Sequence, residues 1–575
     1  MVSEFRLLHT ANRFMTTDYS AISQYNEEQL GKDRKSRMSQ VAMYAIATHF
    51  VYELLQNADD KDATEICFTL TRLGLVVEHN GTPFSEQNVR AITYFGKGNT
   101  DITKIGHFGL GFKSVFAYTA SPEIHSGIEN FEINDLYKVA AIPHPSDLSE
   151  GRTRFVLPFN HLEIEPDYID RRELKSPDTA YEEIASKLAD LGATTLLFTR
   201  ELRKIQWKTD DEEGAYIRED ARFDDAIQTT ITTNDNSRNF YLVYGQAIQL
   251  PDDNGKNQTQ GLVQLAFEID KPLAESGRIK PIRNAKLNVF FPTDKETYVG
   301  FIIQGPYRTT PSRDNVLDED DFNRYLIEET AKLIITTLER LKDLQLLSLD
   351  VLDLLPIDNC RYPPKSLFLP LYTKTREALF TRLLLPTASS GFVAAKLAKI
   401  ADSEWLTRAF PLTQLEGIFA TEGLRWLPIE LTQNKYRALY GLLAGQPGMP
   451  PLVPNIVVRP ETIAGKLTAS FITKQSDEWL ISFYKILHEK RASKLFQGVP
   501  YLRLSDDSLV PPPNDTSSPN VFLPYDNETA CMDFSVIKRS LVENENALDF
   551  FVTTLKLTKP DPVDVLCKKI GRAHV

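Results

Sequence analysis

The stretch HFVYELLQNADD, residues 49–60, carries side chains at a spacing that could do chemistry. Glu53, Asn57 and Asp60 step i, i+4, i+7, which places three oxygen-bearing side chains on one face of a predicted helix. The apolar residues keep the same period and predict its buried face; they are Val51, Leu54, Leu55 and Ala58. No Lys or Arg lies within residues 44–60. A group of acceptor side chains with no Lys or Arg nearby predicts that a positively charged ligand binds to this face.

A glycine-rich segment follows further along the chain. Gly106, Gly109 and Gly111 form GHFGLG directly before FKSVFAY, which predicts a helix. Glycines let a backbone approach an anion, and a helix start offers free N–H groups. The segment is not a Walker A loop, because Phe112 moves Lys113 one place too far, and it lacks the GxGxxG spacing. Alone it would be better explained as a flexible connection.

Taken in order, these pieces predict a magnesium–nucleotide site. Asn57 can give a neutral oxygen to Mg²⁺, which keeps most of its octahedral shell as water and phosphate oxygens. Glu53, one turn earlier, can orient and deprotonate a water for attack on the γ-phosphate. The glycine-rich loop would cover the phosphates.

The elements that must position these residues mix helices and strands without strict βαβ alternation, which predicts an α+β layer sandwich. The first part of the chain predicts helix near 20–60, strands over 65–79, a turn at Asn80–Gly81, a helix from Ser85, strands near 137–143 and 153–158, a helix near 179–191 and a strand at 194–202. A second unit predicts strands at 239–248, 261–270, 285–293 and 296–305, then a long helix at 319–344. The last third, 351–569, predicts a mixed, mostly helical region with proline-rich joints.

Composition excludes several classes of protein. No run approaches the ~18 apolar residues of a membrane span, and the N-terminus lacks the apolar stretch of a secretion signal. The net charge of −13 argues against broad nucleic-acid binding. The cysteines form no metal spacing and fit a reducing cytoplasm; they are Cys67, Cys360, Cys531 and Cys567. We expect a cytoplasmic protein without membrane or nucleic-acid partners.

The segments YELLQNADD, NGTPF and IGHFGLGFKSVF resemble motifs of the GHKL ATPase superfamily, most closely its sacsin N-terminal-like branch. The resemblance covers about residues 15–210 strongly. It extends to about 340 through IIQGPYRTTPSRDNV. It implies a GHKL (Bergerat) ATP-binding sandwich over 1–235, a transducer-like α/β domain over 236–350, and ATP with Mg²⁺ as ligands.

The resemblance also assigns roles to residues. Glu53 resembles the general base, Asn57 the magnesium ligand and Asp60 the acidic end of the same motif. Arg313 resembles a second-domain arginine that reaches the γ-phosphate when the domains dock. The remaining positions are implied nucleotide contacts in the lid (residues 96–112), the helix after it and the late threonine near adenine: Lys97, Gly106, Gly109, Gly111, Phe112, Lys113 and Thr153.

One departure concerns the base. The family usually has an aspartate in a D-x-G turn that accepts from the adenine amino group, whereas this chain has His79, Asn80 and Gly81. A neutral His79 could accept through one ring nitrogen, or Asn80 could substitute. Both alternatives stay open, with ATP as the favoured nucleotide.

Three functional classes follow. The first is a chaperone-like ATPase hydrolase acting on protein clients, and the second is a regulatory module of a bacterial anti-phage defence system with a C-terminal effector. The third is a non-hydrolysing ATP sensor or scaffold. In the first two, lid closure would drive a conformational cycle. The resemblance also implies an ATP-linked homodimer.

The chain ends in IGRAHV, which resembles one reading frame of a common sequencing-adapter sequence. We therefore expect residues 570–575 to be an artefactual tail and the region 351–569 to be truncated.

Overall fold

The computed structural model describes residues 17–30, 50–94, 111–166, 168–171, 173–251, 258–310, 315–513, 521–525 and 534–560. These residues divide into two compact units. The first takes in the chain up to Leu346, together with Leu354–Pro356 and Cys360–Thr375. The second takes in Leu347–Asp353, Ile357–Asn359 and the chain from Arg376. The predicted boundary at 235/236 falls inside the first unit and stays a prediction.

The described strands of the first unit form one mixed sheet of 15 strands. They are β1 (Glu65–Thr71), β2 (Gly74–His79), β3 (Glu123–Ser126), β4 (Glu129–Asn134), β5 (Lys138–Ala141), β6 (Thr153–Pro158), β7 (Lys204–Lys208), β8 (Glu213–Phe223), β9 (Ala226–Thr232), β10 (Arg238–Pro251), β11 (Gln258–Ile269), β12 (Ile279–Lys280), β13 (Lys286–Val289), β14 (Phe291–Glu296) and β15 (Ile302–Gln304). Their order is β14-β13-β15-β11-β10-β9-β8-β7-β1-β2-β6-β3-β4-β5, with β12 on β11. The β1–β7 and β13–β15 pairs are parallel.

The helices of the first unit are α1 (Tyr19–Leu30), α2 (Phe50–Asp59), α3 (Glu86–Thr93), α4 (His161–Ile164), α5 (Pro177–Ala189) and α6 (Asp321–Asp343). Helix α8 (Leu369–Thr381) begins in the first unit, and its residues from Arg376 belong to the second. Serine at position 85 caps α3, in a capping box completed by Asn88. The helix predicted after the glycine-rich segment is present as a 3₁₀ helix, Phe112–Ala117. Helices and a mixed sheet together confirm the α+β class.

One core cluster joins α2 and the 3₁₀ helix to the sheet, with Leu54, Val115 and Phe155 among its buried side chains. Strands β1, β2 and β6 bury every second side chain, as their alternating sequence requires. Ile66 of β1 pairs with His79 of β2, and His79 pairs with Thr153 of β6. His79 and Thr153 therefore belong to the buried face that α2 covers.

The strand predicted at 194–202 is wrong. Ala193–Leu196 form a 3₁₀ helix, and β7 begins only at Lys204. The hydroxyl of Thr199 donates to the carbonyls of Leu196 and Leu202, at 2.9 and 2.7 Å. These local bonds hold a turn that an apolar, β-branched run does not predict.

The second unit has short helices around an aromatic core. Its helices are α7 (Leu349–Leu352), α9 (Glu404–Ala409), α10 (Leu412–Phe419), α11 (Arg437–Ala444), α12 (Pro460–Ala464), α13 (Ala469–Thr473), α14 (Asp477–Glu489), α15 (Arg539–Val542) and α16 (Glu545–Asp549). Its strands are two to four residues long: β16 (Leu385–Pro386), β17 (Phe392–Val393), β18 (Ala398–Ala401), β19 (Arg425–Trp426), β20 (Val457–Val458), β21 (Leu502–Arg503), β22 (Leu509–Val510), β23 (Val521–Phe522) and β24 (Ser535–Val536). Across the described ranges of both units, no helix combines the length and apolar character needed to cross a bilayer.

Candidate functional site

Helix α2 carries the predicted acidic-amide face. Glu53 is buried, with 7% of its surface exposed, whereas Asn57 one turn later is half-buried. Asp60 follows the helix end, where its backbone N–H donates to the Gln56 carbonyl at 2.8 Å. The face therefore passes from a buried carboxylate side chain to a less buried amide side chain.

The carboxylate of Glu53 lies directly against Gly111. A methyl group added to Gly111 would lie 1.9 Å from Glu53 Oε2 and 2.6 Å from Cδ. Its backbone has ordinary right-handed torsions, φ −57° and ψ −51°, so glycine is needed for close approach rather than for an unusual conformation. The structure thus brings together the predicted general base and the last glycine of the predicted lid.

The neighbouring Asp59 is a residue that the motif analysis missed. It is buried, and its carboxylate accepts the backbone N–H groups of Arg200, Glu201 and Leu202 at 2.9, 2.9 and 2.8 Å. These bonds fix the end of α2 beside the chain entering β7. The signal was present, because Asp59 continues the buried i, i+4, i+8 row after Val51 and Leu55. An acid on a buried row needs internal donors.

The turn at Gly81 packs against Lys61, the residue that follows Asp59 and Asp60. The Lys61 carbonyl accepts the Thr82 N–H at 2.7 Å. A methyl group on Gly81 would lie 2.6 Å from the same carbonyl oxygen. Lys61 Nζ donates to Asn88 Oδ1 at 2.8 Å, at the start of α3. Close backbone approach therefore requires Gly81, and the C-terminal end of α2 holds the predicted base-binding turn.

His79 is 1% exposed, and its Nδ1 accepts the Gly81 N–H at 3.1 Å. Burial, with the nearby positive charges of Lys61 and Arg152, lowers the pKa of His79 to about 4. The ring is therefore neutral near pH 7, with its proton on Nε2. This corrects the expectation that His79 accepts from adenine, because its accepting nitrogen is already engaged.

The alternative acceptor, Asn80, is engaged elsewhere. Its Oδ1 accepts the backbone N–H groups of Thr64 and Glu65 at 2.9 and 3.1 Å, and its Nδ2 donates to Thr64 Oγ1 at 2.8 Å. Asn80 is thus the anchor of the turn between α2 and β1. The structure does not support the expectation that it replaces the family's aspartate.

Thr153 of β6 pairs with His79 of β2, and its predicted place near the base stays a prediction. Its hydroxyl is 2.5 Å from Ser126 Oγ, which in turn accepts the Phe84 N–H at 2.9 Å. Ser126 was not predicted, because it ends β3, a strand that the sequence analysis did not identify. The pair links β6, β3 and the loop before α3.

Phe112 and Lys113 both point into the protein. The Phe112 ring packs against Phe155, with centroids 5.7 Å apart. Lys113 is 1% exposed and donates to the carbonyls of Thr93, at 3.2 Å, and of Leu136. Burial lowers the pKa of Lys113 to about 7. The Lys113 ammonium therefore bonds to the end of α3 and the β4–β5 turn, which corrects its predicted nucleotide contact.

Four predicted site residues lie outside the described residues: Lys97, Gly106, Gly109 and Arg313. In the described ranges, no three His, Cys, Asp or Glu side chains cluster as a metal site. A magnesium ion that takes one amide oxygen, such as that of half-buried Asn57, needs no such cluster, since water and phosphate complete its shell. The residues present therefore fit Mg²⁺ carried in with a nucleotide.

Comparison with known proteins adds a family to this geometry. Residues 34–153 match the model of the sacsin domain. The chain is 25% identical to Protein NO VEIN of Arabidopsis thaliana over 382 residues, which is 57% of this chain and 13% of that protein. It is 34% identical to human Sacsin over 128 residues, 19% of this chain and 3% of that protein. The chain thus spans a small part of these relatives.

Two solved structures are also similar. One is the N-terminal domain of a DNA repair protein, at 13% identity and a TM-score of 0.29, covering 49% of this chain and 91% of that one. The other is the ATPase domain of the mismatch repair endonuclease MutL of Aquifex aeolicus, at 12% identity and a TM-score of 0.23, covering 47% and 93%. TM-scores of this size do not establish a shared architecture. The family match rests on the sequence: residues 34–153 of this chain are a sacsin-like domain.

Proposed function

We propose that the first unit binds Mg–ATP and hydrolyses it, with Glu53 as general base. The observation that carries the proposal is the contact between the Glu53 carboxylate and Gly111, at the junction of α2 and the glycine-rich segment. A base held at the end of a phosphate-covering loop is placed for attack by water on a terminal phosphate.

Each described residue has a definite task in this scheme. Bound Mg²⁺ would neutralise phosphate charge, with Asn57 supplying a protein oxygen to it. Glu53 would accept the proton of the attacking water. Buried Phe112 would hold the start of the 3₁₀ helix against the sheet through Phe155, so that Gly111 stays beside the base. Asp59 would hold the C-terminal end of α2 to the backbone at Arg200.

Beyond these contacts, the proposal includes lid closure over residues 96–112, with Arg313 reaching the γ-phosphate as domains dock. The output would be a conformational cycle, in a chaperone-like protein acting on clients or in a regulatory module of a bacterial defence system with a C-terminal effector. An ATP-linked homodimer and a cytoplasmic location belong to the same proposal. The alternative is a non-hydrolysing ATP sensor or scaffold.

The test is ATP turnover by the full chain, wild type beside Glu53→Gln, with Mg–ATP binding measured in parallel. Loss of the base should lower turnover by about 10²-fold or more, while binding changes little. Glu182→Gln is the matched control, since Glu182 is exposed on α5 in the same unit. Equal turnover in wild type and Glu53→Gln would remove Glu53 as the base. Binding without wild-type turnover would favour the sensor, and no binding would reject the proposal.

A further inference from the structure

We propose that a polar cavity on the sheet face turned away from α2 binds a small organic cation of the guanidinium or ammonium class. The cavity has a volume of about 270 Å³ and lies within the first unit. It is lined by β1, β2, β7 and the loop between β5 and β6, residues 142–152. Its lining includes none of the residues predicted to contact the nucleotide, so this site is separate from the one described above.

The floor of the cavity is a polar row that crosses the sheet. Cys67 of β1 is paired with Gln206 of β7 and with Glu78 of β2. Glu78 is in turn paired with Arg154 of β6. These residues alternate along their strands with buried side chains of the core cluster that includes α2. Because side chains alternate between the faces of a sheet, the row points away from α2.

The loop over residues 142–152 forms the roof. Its Leu148 is buried, which anchors the loop to the fold. The Asp147 carboxylate accepts from the Arg154 guanidinium at 3.0 Å, and Arg152 forms an ion pair with Glu65 of β1. The loop is therefore tied to the strands beneath it at two points, and the cavity lies between the loop and the row.

The charges around the cavity do not balance. Glu65 and Arg152 form a one-to-one pair. The Arg154 guanidinium is instead shared by two carboxylates, those of Glu78 at 2.5 Å and Asp147 at 3.0 Å. Hydrogen bonding from Arg154 lowers the pKa of Asp147, so this carboxylate is ionised near pH 7. One negative charge is left uncompensated beside Glu78 and Asp147.

The next position of the polar row does not restore the balance. His125 of β3 is paired with Arg154, and its ring nitrogen Nε2 lies 3.6 Å from the carboxylate of Glu123. Even a protonated His125 would be matched by this further carboxylate. The excess of negative charge remains, and it favours a ligand that carries one positive charge.

The remaining polar groups define the ligand further. Within the part of the chain that the structure describes, the Gln206 amide and the Ser149 hydroxyl make no hydrogen bond to the protein, and both line the cavity. Carboxylate, amide and hydroxyl oxygens all accept N–H donors. A guanidinium or ammonium group on a polar frame supplies such donors together with the missing positive charge. An apolar ligand would find little apolar surface in this lining.

Cys67 provides the readout, because its thiol lies in the floor of the cavity. The experiment follows alkylation of Cys67 by iodoacetamide in the full chain, by mass spectrometry. The added probes are L-arginine, L-lysine and, as the matched neutral control, L-citrulline, in which a urea replaces the guanidinium. A cation with a Kd of about 1 mM, added at about 10 mM, should slow alkylation about 10-fold. L-citrulline should leave the rate unchanged, and the exposed Cys360 should react equally in every sample.

Two variants test the charge assignment. Asp147→Asn and Glu78→Gln each remove the uncompensated charge and should weaken protection by L-arginine about 10-fold, the scale of one charge-assisted hydrogen bond. The Asp147 side chain is 71% exposed, so its replacement does not disturb the core. Glu213→Gln, at an exposed position on β8, is the control and should protect like wild type.

Protection by either cation and not by L-citrulline supports the proposal. Equal protection by L-arginine and L-citrulline overturns it, as does a failure of both cations to slow alkylation of Cys67. Undiminished protection in both Asp147→Asn and Glu78→Gln overturns it as well.

Discussion

Lys113 gives the sharpest test of how this site is built, through the variant Lys113→Met. The side chain is buried, and its ammonium donates to the carbonyls of Thr93 and Leu136. Its pKa falls from an ordinary 10.5 to about 7 because burial disfavours the charge. At 1.36 kcal/mol per pKa unit, burial of Lys113 lowers the free energy of unfolding by about 4 kcal/mol near pH 7.

The sign of the pH dependence follows from proton counting. Between pH 7 and 10.5 the unfolded chain holds the Lys113 proton and the folded chain does not. Stability therefore rises with pH across this window, and below it the full cost is present. Methionine does not titrate, so it removes this pH dependence. It also leaves the two carbonyls without the lysine donor, which costs about 1–3 kcal/mol of stability for each carbonyl. The two proteins should be similarly stable at pH 7, and wild type should be ahead by about 3 kcal/mol at pH 9.5.

The assay is urea unfolding read by pulsed hydrogen exchange of the peptide 111–136, with the pulse scaled to the intrinsic exchange rate at each pH. A local readout is needed because a chain of two units need not unfold in one step. Lys208→Met, at an exposed position on β7, is the control and should show no pH-dependent difference. The buried-lysine account is refuted if the free energies of unfolding of wild type and Lys113→Met differ by the same amount, within about 0.5 kcal/mol, from pH 7 to 9.5.

Two further substitutions test the packing of α2. Gly111→Ala should lower ATP turnover about 10-fold or more with little change in ATP binding, because the added methyl group would displace the Glu53 carboxylate. Gly465→Ala is the control, since the atom nearest to its added methyl group would be 3.4 Å away. Unchanged turnover in Gly111→Ala would show that the contact does not position the base. Asp59→Asn should lower the free energy of unfolding of the first unit, measured in urea, by about 1–3 kcal/mol, since an amide cannot accept all three N–H groups that Asp59 receives. Asp210→Asn, at an exposed position, is the control and should unfold like wild type. An Asp59→Asn protein as stable as wild type would contradict the anchoring role.

The sequence was sufficient where the determining pattern is local. The period of 3.6 placed α2, with Glu53 and Asn57 on its polar face; alternation placed β1, and a short apolar run placed β2. The Ser85 cap likewise marked the start of α3. These features depend on residues within one or two turns of each other, so one chain segment contains the whole signal.

The sequence was insufficient where a distant partner decides the role. Thr199 sits in an apolar run that predicts a strand, yet its hydroxyl and the carboxylate of Asp59, 140 positions earlier in the chain, take up the local backbone groups. Lys113 follows the glycines like a phosphate ligand but bonds to carbonyls of two other elements. The tautomer of His79 depends on the fold of the Gly81 turn.

Under the proposed function, these contacts would let α2 organise both ends of a nucleotide. Glu53, near its start, touches Gly111, where phosphate chemistry is proposed. Lys61, just beyond its end, holds the Gly81 turn, and Gly81 fixes the His79 ring. Asp59 ties the same helix to the chain before β7. Any shift of α2 would therefore alter both the turn at Gly81 and the contact between Glu53 and Gly111. Nucleobase recognition and hydrolysis are thus expected to respond jointly to changes in this one helix.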